Sequence, residues 1–508
     1  MKYAKPPDCR IGRFSRFIQI FAAEDCFLGG ICYNKKVSEV QTMVFSSMTF
    51  LPLFLPAIFV LYFLCKNLKV RNGLLLVFSL LFYGWGEPVW IFIMMLSVLA
   101  NYICGLLIHR SNSQTERRAY MVIGVGLSLG CLFLLKYFGF FADTVCQLLG
   151  RENPLASPVL PIGLSFYTFQ IITYVVDVYR GKVAVQKNYF SLLLYVAFFP
   201  QLIAGPIVNY TDIAASLEDR RSTLEGVYQG MLRFVIGLAK KALLANSCGA
   251  IIDKLLGFGE LSVAGSWLMA VAYGFQIYFD FSGYSDMAIG MGRIFGFRFL
   301  ENFNYPYISR SATEFWRRWH ISLGTFFRDY VYIPMGGNRV GVWKHIRNIF
   351  VVWFLTGFWH GASWNFIAWG VYYGVLLLLE KYLLHGIKEK LPAIVNVLTT
   401  LVAVLVGWVL FYYVDLGEAL AHLKIMFGFG GAALTDPAAI YYFKHNLVVL
   451  AAAALACVPW KAVLALLPQK PVRSAAYWLK PVAVTVLLLL SVALIVGQSY
   501  NPFLYFRF

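Results

Sequence analysis

The sequence predicts an all-α, polytopic integral membrane protein, and three observations carry that prediction. Of its 508 residues, 60% are hydrophobic and only 13% are charged, against about 45–50% and about 25% in a typical soluble chain. A core this apolar could not cover itself with polar surface in water, so lipid must solvate much of it. Apolar runs close to the length of a bilayer crossing recur along the whole chain. Aromatics are also heavy, and the 31 Tyr and 13 Trp are the side chains favoured at membrane–water interfaces.

A crossing takes about 20 mostly apolar residues. Runs of that kind lie near 49–65, 72–86, 89–109, 119–141, 158–179, 190–208, 228–252 and 264–282, and then near 349–365, 366–384, 393–414, 446–467 and 481–498. Several are short or hold Pro and Gly, so some are expected to be re-entrant or broken rather than clean spans. The expected total is about a dozen transmembrane or re-entrant helices. No period of the kind that marks a repeat array is visible.

Lys and Arg accumulate in cytoplasmic loops, and this sets the orientation. Lys66, Lys69 and Arg71 follow the first run, Arg110, Arg117 and Arg118 the third, and Arg180, Lys182 and Lys187 the fifth. The turns between them are poor in base. The largest polar insert, 293–348, carries nine Lys/Arg against Glu301, Glu314 and Asp329, so it is expected in the cytoplasm. Alternation then delivers the tail from Gln498 to Phe508 outside. Only 209–262 resists a simple assignment.

Residues 1–42 form a polar extension with seven Lys/Arg and no run long enough to cross. No continuous apolar stretch marks a signal peptide. On this topology the extension would lie outside, against the charge rule. Starting the chain at Met43 removes the conflict, which divides the sequence into 1–42 and a membrane domain at 43–508.

Net charge is +18. In a soluble protein that would raise nucleic acid, but basic cytoplasmic loops account for it and no nucleic-acid motif accompanies it. The nine cysteines make no C-x-x-C pair and no zinc spacing, so neither a disulfide framework nor a metal site is expected.

Among seven histidines, His360 stands out. It lies more than ten residues into the apolar segment that holds Trp359-His360-Gly361, which is near mid-membrane if that segment is helical. An ionisable group at that depth marks a site by default. The bland alternative is a buried His bonded to a neighbouring helix. Gly357 and Gly361 flank it, either to admit a substrate chain or simply to let helices pack. Neutral imidazole suits general-base work near neutral pH.

His320 sits in Glu314-Phe315-Trp316-Arg317-Arg318-Trp319-His320. Helical spacing puts Trp316, Trp319 and His320 on one face, as in an interfacial amphipathic helix. Arg317 and Arg318 could then face phosphates of a lipid headgroup or of a nucleotide-bearing donor, or face no ligand at all. Asp280 and Asp286 lie beside apolar sequence and are expected to pair with Arg of the basic insert or to line a polar cavity. No P-loop, H-E-x-x-H or G-x-S-x-G motif occurs, and no His is followed by Asp five positions later.

Taken together these segments resemble the membrane-bound O-acyltransferase family, and within it the subunits that O-acetylate alginate. The stretches that carry the resemblance are Pro161-Ile162-Gly163-Leu164-Ser165-Phe166-Tyr167, Pro200-Gln201-Leu202-Ile203-Ala204-Gly205-Pro206, 278–290, 314–323, Gly336-Gly337-Asn338-Arg339 and Trp359-His360-Gly361. The likeness covers essentially all of 43–508. It implies a ring of helices around a central funnel, with His360 as the catalytic histidine and His320 as a second functional one on the cytoplasmic side. It implies a cytoplasmic acyl donor, acetyl-CoA, and a bacterial plasma membrane. It further implies transfer to an extracytoplasmic partner of the SGNH-hydrolase type, which esterifies a polysaccharide. The tail Phe503-Leu504-Tyr505-Phe506-Arg507-Phe508 resembles a signature proposed as an acyl relay, which would make Tyr505 a transient acyl carrier. Peptidoglycan and teichoic-acid acylation use similar subunits and remain alternatives for the acceptor. A transporter or flippase without catalysis is the alternative from another class.

Overall fold

A computed structural model describes residues 43–154, 160–429, 431–464, 469–497 and 503–504. The extension 1–42 and Tyr505 lie outside the described residues. Among the described residues every regular element is helical, as the composition predicts.

Six helices are long and apolar enough to cross a bilayer: Trp90–Arg110, Gln114–Leu148, Leu224–Leu256, Trp364–Lys388, Ala393–Tyr412 and Leu479–Val496. The pair Pro437–His445 and Leu447–Ala456 passes the same test together but is bent by 61°. The shortfall against about a dozen has local causes. The first run opens as a π turn over Phe50–Phe54, with Pro52 and Pro56 in its path, and proline removes the N–H that a helix interior needs. Leu68–Gly86 is helical for 19 residues but carries Lys69, Arg71 and Asn72. The run at 190–208 breaks after Tyr189–Ala197, where Phe198 turns to ψ 109° and a four-residue helix restarts through Pro200. The first and last of these are the broken segments that the Pro and Gly content predicts.

The longest α-helix without a π turn, Val263–Ile294, has 32 residues and is buried along most of its length, so it is the axis of the molecule rather than a lipid-facing span. It packs closely along Leu224–Ala239. A Cβ on Gly230 would lie 2.6 Å from the Gly290 carbonyl oxygen, and one on Gly283 would lie 2.7 Å from that of Gly237. The glycines lie seven residues apart on both helices, and small residues at a crossing let the two backbones approach closely.

Close approach brings charges together. Arg233 bonds Asp286 at 2.8 Å and Glu301 at 2.5 Å, and Lys240 bonds Asp286 at 2.6 Å. Lys241 pairs with Asp280, both side chains being almost wholly buried. Lys240 and Lys241 sit in a π turn, Lys240–Ala245, which turns both toward the central helix. The two aspartates therefore do not pair with Arg of the basic insert. That insert is itself part of the core: Phe315, Trp319, His320, Leu323, Phe326 and Phe327 are all buried.

Candidate active site

His360 is the last residue of the helix Val342–His360, after which Gly361 is extended. Gly357 lets this helix cross the next one tightly, because a Cβ there would run into Phe366 and Gly370. Gly361 lies against the Phe366 ring in the same way. Both glycines thus serve helix packing, and neither opens a path to the imidazole.

The C-terminal carbonyls of a helix have no partner four residues on, and a half-buried lysine meets them here. Lys136 Nζ donates to the carbonyl oxygen of Trp359 at 2.6 Å and to that of His360 at 3.3 Å, with Ser165 Oγ at 3.2 Å. Lys136 comes from the π turn Phe133–Tyr137, and π turns recur at functional sites.

His320 joins two short helices, Ala312–Arg318 and Ile321–Phe327, at φ 45°. This left-handed geometry is unfavourable for a side chain with a Cβ, so the surroundings must hold it. Asn302 does so. Its Oδ1 accepts the Ser322 N–H at 3.1 Å and the Ser322 hydroxyl at 2.9 Å, and it lies 3.1 Å from His320 Nδ1. A backbone N–H can only donate, so the Asn302 atom is the oxygen and His320 Nδ1 carries the hydrogen. Nε2 then holds the lone pair; it is buried and has no hydrogen-bond partner among the described residues. Burial pushes the imidazole down to about 3, so the ring is neutral at physiological pH.

The two imidazoles flank one indole. The Trp359 ring centroid is 6.1 Å from that of His320 and 5.0 Å from that of His360. Trp369 and Phe411 close the far side of His360 at 5.2 and 5.1 Å. His360, Asp280, Phe281, Trp319 and Trp408 line a cavity that also receives Phe503 and Leu504, with room for about one water molecule.

The amphipathic surface helix expected for Trp316, Trp319 and His320 is not formed. The helix ends at Arg318, and Trp319 and His320 are 4% and 2% exposed. Of the two arginines expected to face phosphates, Arg318 is held by Glu314 at 2.8 Å and donates to the Asn304 carbonyl oxygen at 3.1 Å. Arg317 remains exposed. Among the described residues no group of His, Cys, Asp or Glu could hold a metal ion.

Lys136, Asn302 and Lys241 are the site residues that sequence reasoning missed. Lys136 was within reach, because it interrupts the apolar run 119–141 as His360 interrupts its own. Asn302 gives no such signal, because its role depends on a backbone turn at His320.

A model of the membrane-bound O-acyltransferase family matches residues 164–414. A probable alginate O-acetylase of Pseudomonas putida is 39% identical over 92% of this chain and 100% of its own length. A peptidoglycan O-acetyltransferase of Helicobacter pylori is 31% identical over 93% of this chain and 99% of its own. A teichoic acid D-alanyltransferase of Bacillus subtilis is 29% identical over 54% of this chain and 73% of its own.

Proposed function

The chain belongs to the membrane-bound O-acyltransferase family, and from that premise we propose that it moves acetyl groups from cytoplasmic acetyl-CoA to an exported polysaccharide. It is a multi-pass membrane enzyme and an O-acyltransferase, which sets aside the non-catalytic transporter. Alginate is the favoured polymer, because a full-length relative at 39% identity carries that name; peptidoglycan is the alternative. The observation that carries the reading is the pair of buried imidazoles around Trp359, one of them opening on a cavity that also receives Phe503 and Leu504.

In this reading His360 accepts a proton from the acceptor hydroxyl as its oxygen attacks the thioester carbonyl. The C–S bond breaks, and the imidazolium returns the proton to the CoA thiolate. The products are an acetyl ester and the free thiol. His320, neutral with its Nε2 lone pair available, is placed to support the same proton transfer from across Trp359. The exposed Arg317 is the better candidate of the two arginines for donor phosphates. The acetyl group leaves on the outer face of a bacterial plasma membrane, to an SGNH-hydrolase-type partner. Purified protein in vesicles should release CoA thiol from acetyl-CoA when acceptor is supplied; no release would count against acyl transfer from this donor.

Lys136→Met should lower that rate about 10–100-fold, since two buried carbonyls lose a charged partner. Lys136→Arg should recover part of it. An unchanged rate in Lys136→Met would show that the His360 helix end holds itself.

Orientation has its own test. Asn338 is exposed within the basic insert, so Asn338→Cys in a chain cleared of native cysteines should resist impermeant thiol reagents in intact cells. Ready labelling would put the insert outside and remove the case for a cytoplasmic donor.

A further inference from the structure

We propose that Asp280 and Lys241 form a latch that seats the C-terminal tail in the His360 cavity through the backbone N–H of Leu504. Asp280 lies on the central helix and is 1% exposed. One carboxylate oxygen meets Lys241 Nζ, and the other accepts the Leu504 N–H at 2.6 Å from a segment 224 residues away. A buried ion pair stabilises poorly compared with apolar packing, and it becomes a liability when a lone pair is left unused. Here the second oxygen is used by the tail. A charged acceptor also makes a stronger hydrogen bond than a neutral one.

The neighbouring residue supplies the second anchor. The Phe503 ring lies 4.8 Å from that of Tyr284 and 6.0 Å from that of Phe281, and Phe45 stacks on Tyr284 at 4.4 Å. The hydrogen bond at 504 reads backbone alone, whereas the socket at 503 reads an aromatic ring. Together they fix the register of the tail as well as its position. Consecutive Cα atoms stay about 3.8 Å apart, so the latch limits how far residue 505 can stray. Its purpose rests on the reading of the tail as acyl carrier argued below; its geometry does not.

The test uses the full chain, cleared of native cysteines, with Leu504→Cys as a probe that keeps the backbone N–H. Two charge-neutral backgrounds are compared: Asp280→Asn with Lys241→Met, which keeps an acceptor oxygen, and Asp280→Ala with Lys241→Met, which does not. Neither leaves an orphaned buried charge. The thiol should stay protected from a soluble maleimide in the first background and label about 10–100-fold faster in the second, the range set by losing one hydrogen bond to a buried acceptor. Equal labelling rates in the two backgrounds would overturn the latch. Adding Tyr505→Phe should leave the contrast intact, so failure of the relay and failure of the latch read out separately.

Discussion

His360→Ala should abolish polymer acetylation, with transfer slowed by about 10²–10⁴-fold if the imidazole is the general base, while the chain stays in the membrane at its normal level. The ring is buried against Trp369 and Phe411, and the helix end that carries it is held through its backbone carbonyls by Lys136. Loss of the side chain should therefore remove the base without releasing the helix. His320→Ala is the informative partner. If the two rings act as one unit around Trp359, the double variant should be hardly worse than the more damaged single one. If they act independently, the losses should multiply. The readout is base-labile acetate on polymer from complemented cells, normalised to enzyme in the membrane. Wild-type acetyl content in His360→Ala would end its assignment. Near-normal content there, with none in His320→Ala, would move the base to His320, whose Nε2 already has the required lone pair.

Class and site differed in how far the sequence exposed them. Composition is an average over the chain, so the membrane solvent was readable from it without any boundary. His360 was readable because one ionisable group in an apolar run is a local anomaly. The count of crossings was harder, because Val263–Ile294 is apolar for a different reason: it is buried in protein and has no lipid face. The geometry around His320 was hidden by the assumption of a continuous helix. Periodicity placed Trp316, Trp319 and His320 on one face, and a single residue at φ 45° ends that face. The partners of Asp280 and Asp286 were hidden because they are set by which helices the glycines bring together, and they lie outside the most basic stretch of the chain.

Tyr505→Phe should remove acetylation as fully as loss of His360, with normal insertion, if the tail carries acetyl between donor and partner. A phenol has one hydroxyl nucleophile and is weak at neutral pH without a base. A neutral imidazole within about 3 Å supplies one, and the ester formed on Tyr505 would then pass its acetyl group to a hydroxyl of the extracytoplasmic partner. On sequence alone the tail required a long reach from the outer face. The structure shortens that requirement, because Leu504, the residue directly before Tyr505, lines the same cavity as His360. Tyr505 itself lies outside the described residues, so the hydroxyl is tested by chemistry. The competing view makes the tail an aromatic anchor in the interfacial belt. An anchor would be satisfied by Phe, since the ring survives and only the oxygen is lost. Full acetylation in Tyr505→Phe would leave the anchor alone standing. Loss in Tyr505→Phe, together with continued thioester hydrolysis by the same protein, would place the phenol after donor binding and before the acceptor, because only the carrier oxygen has been removed.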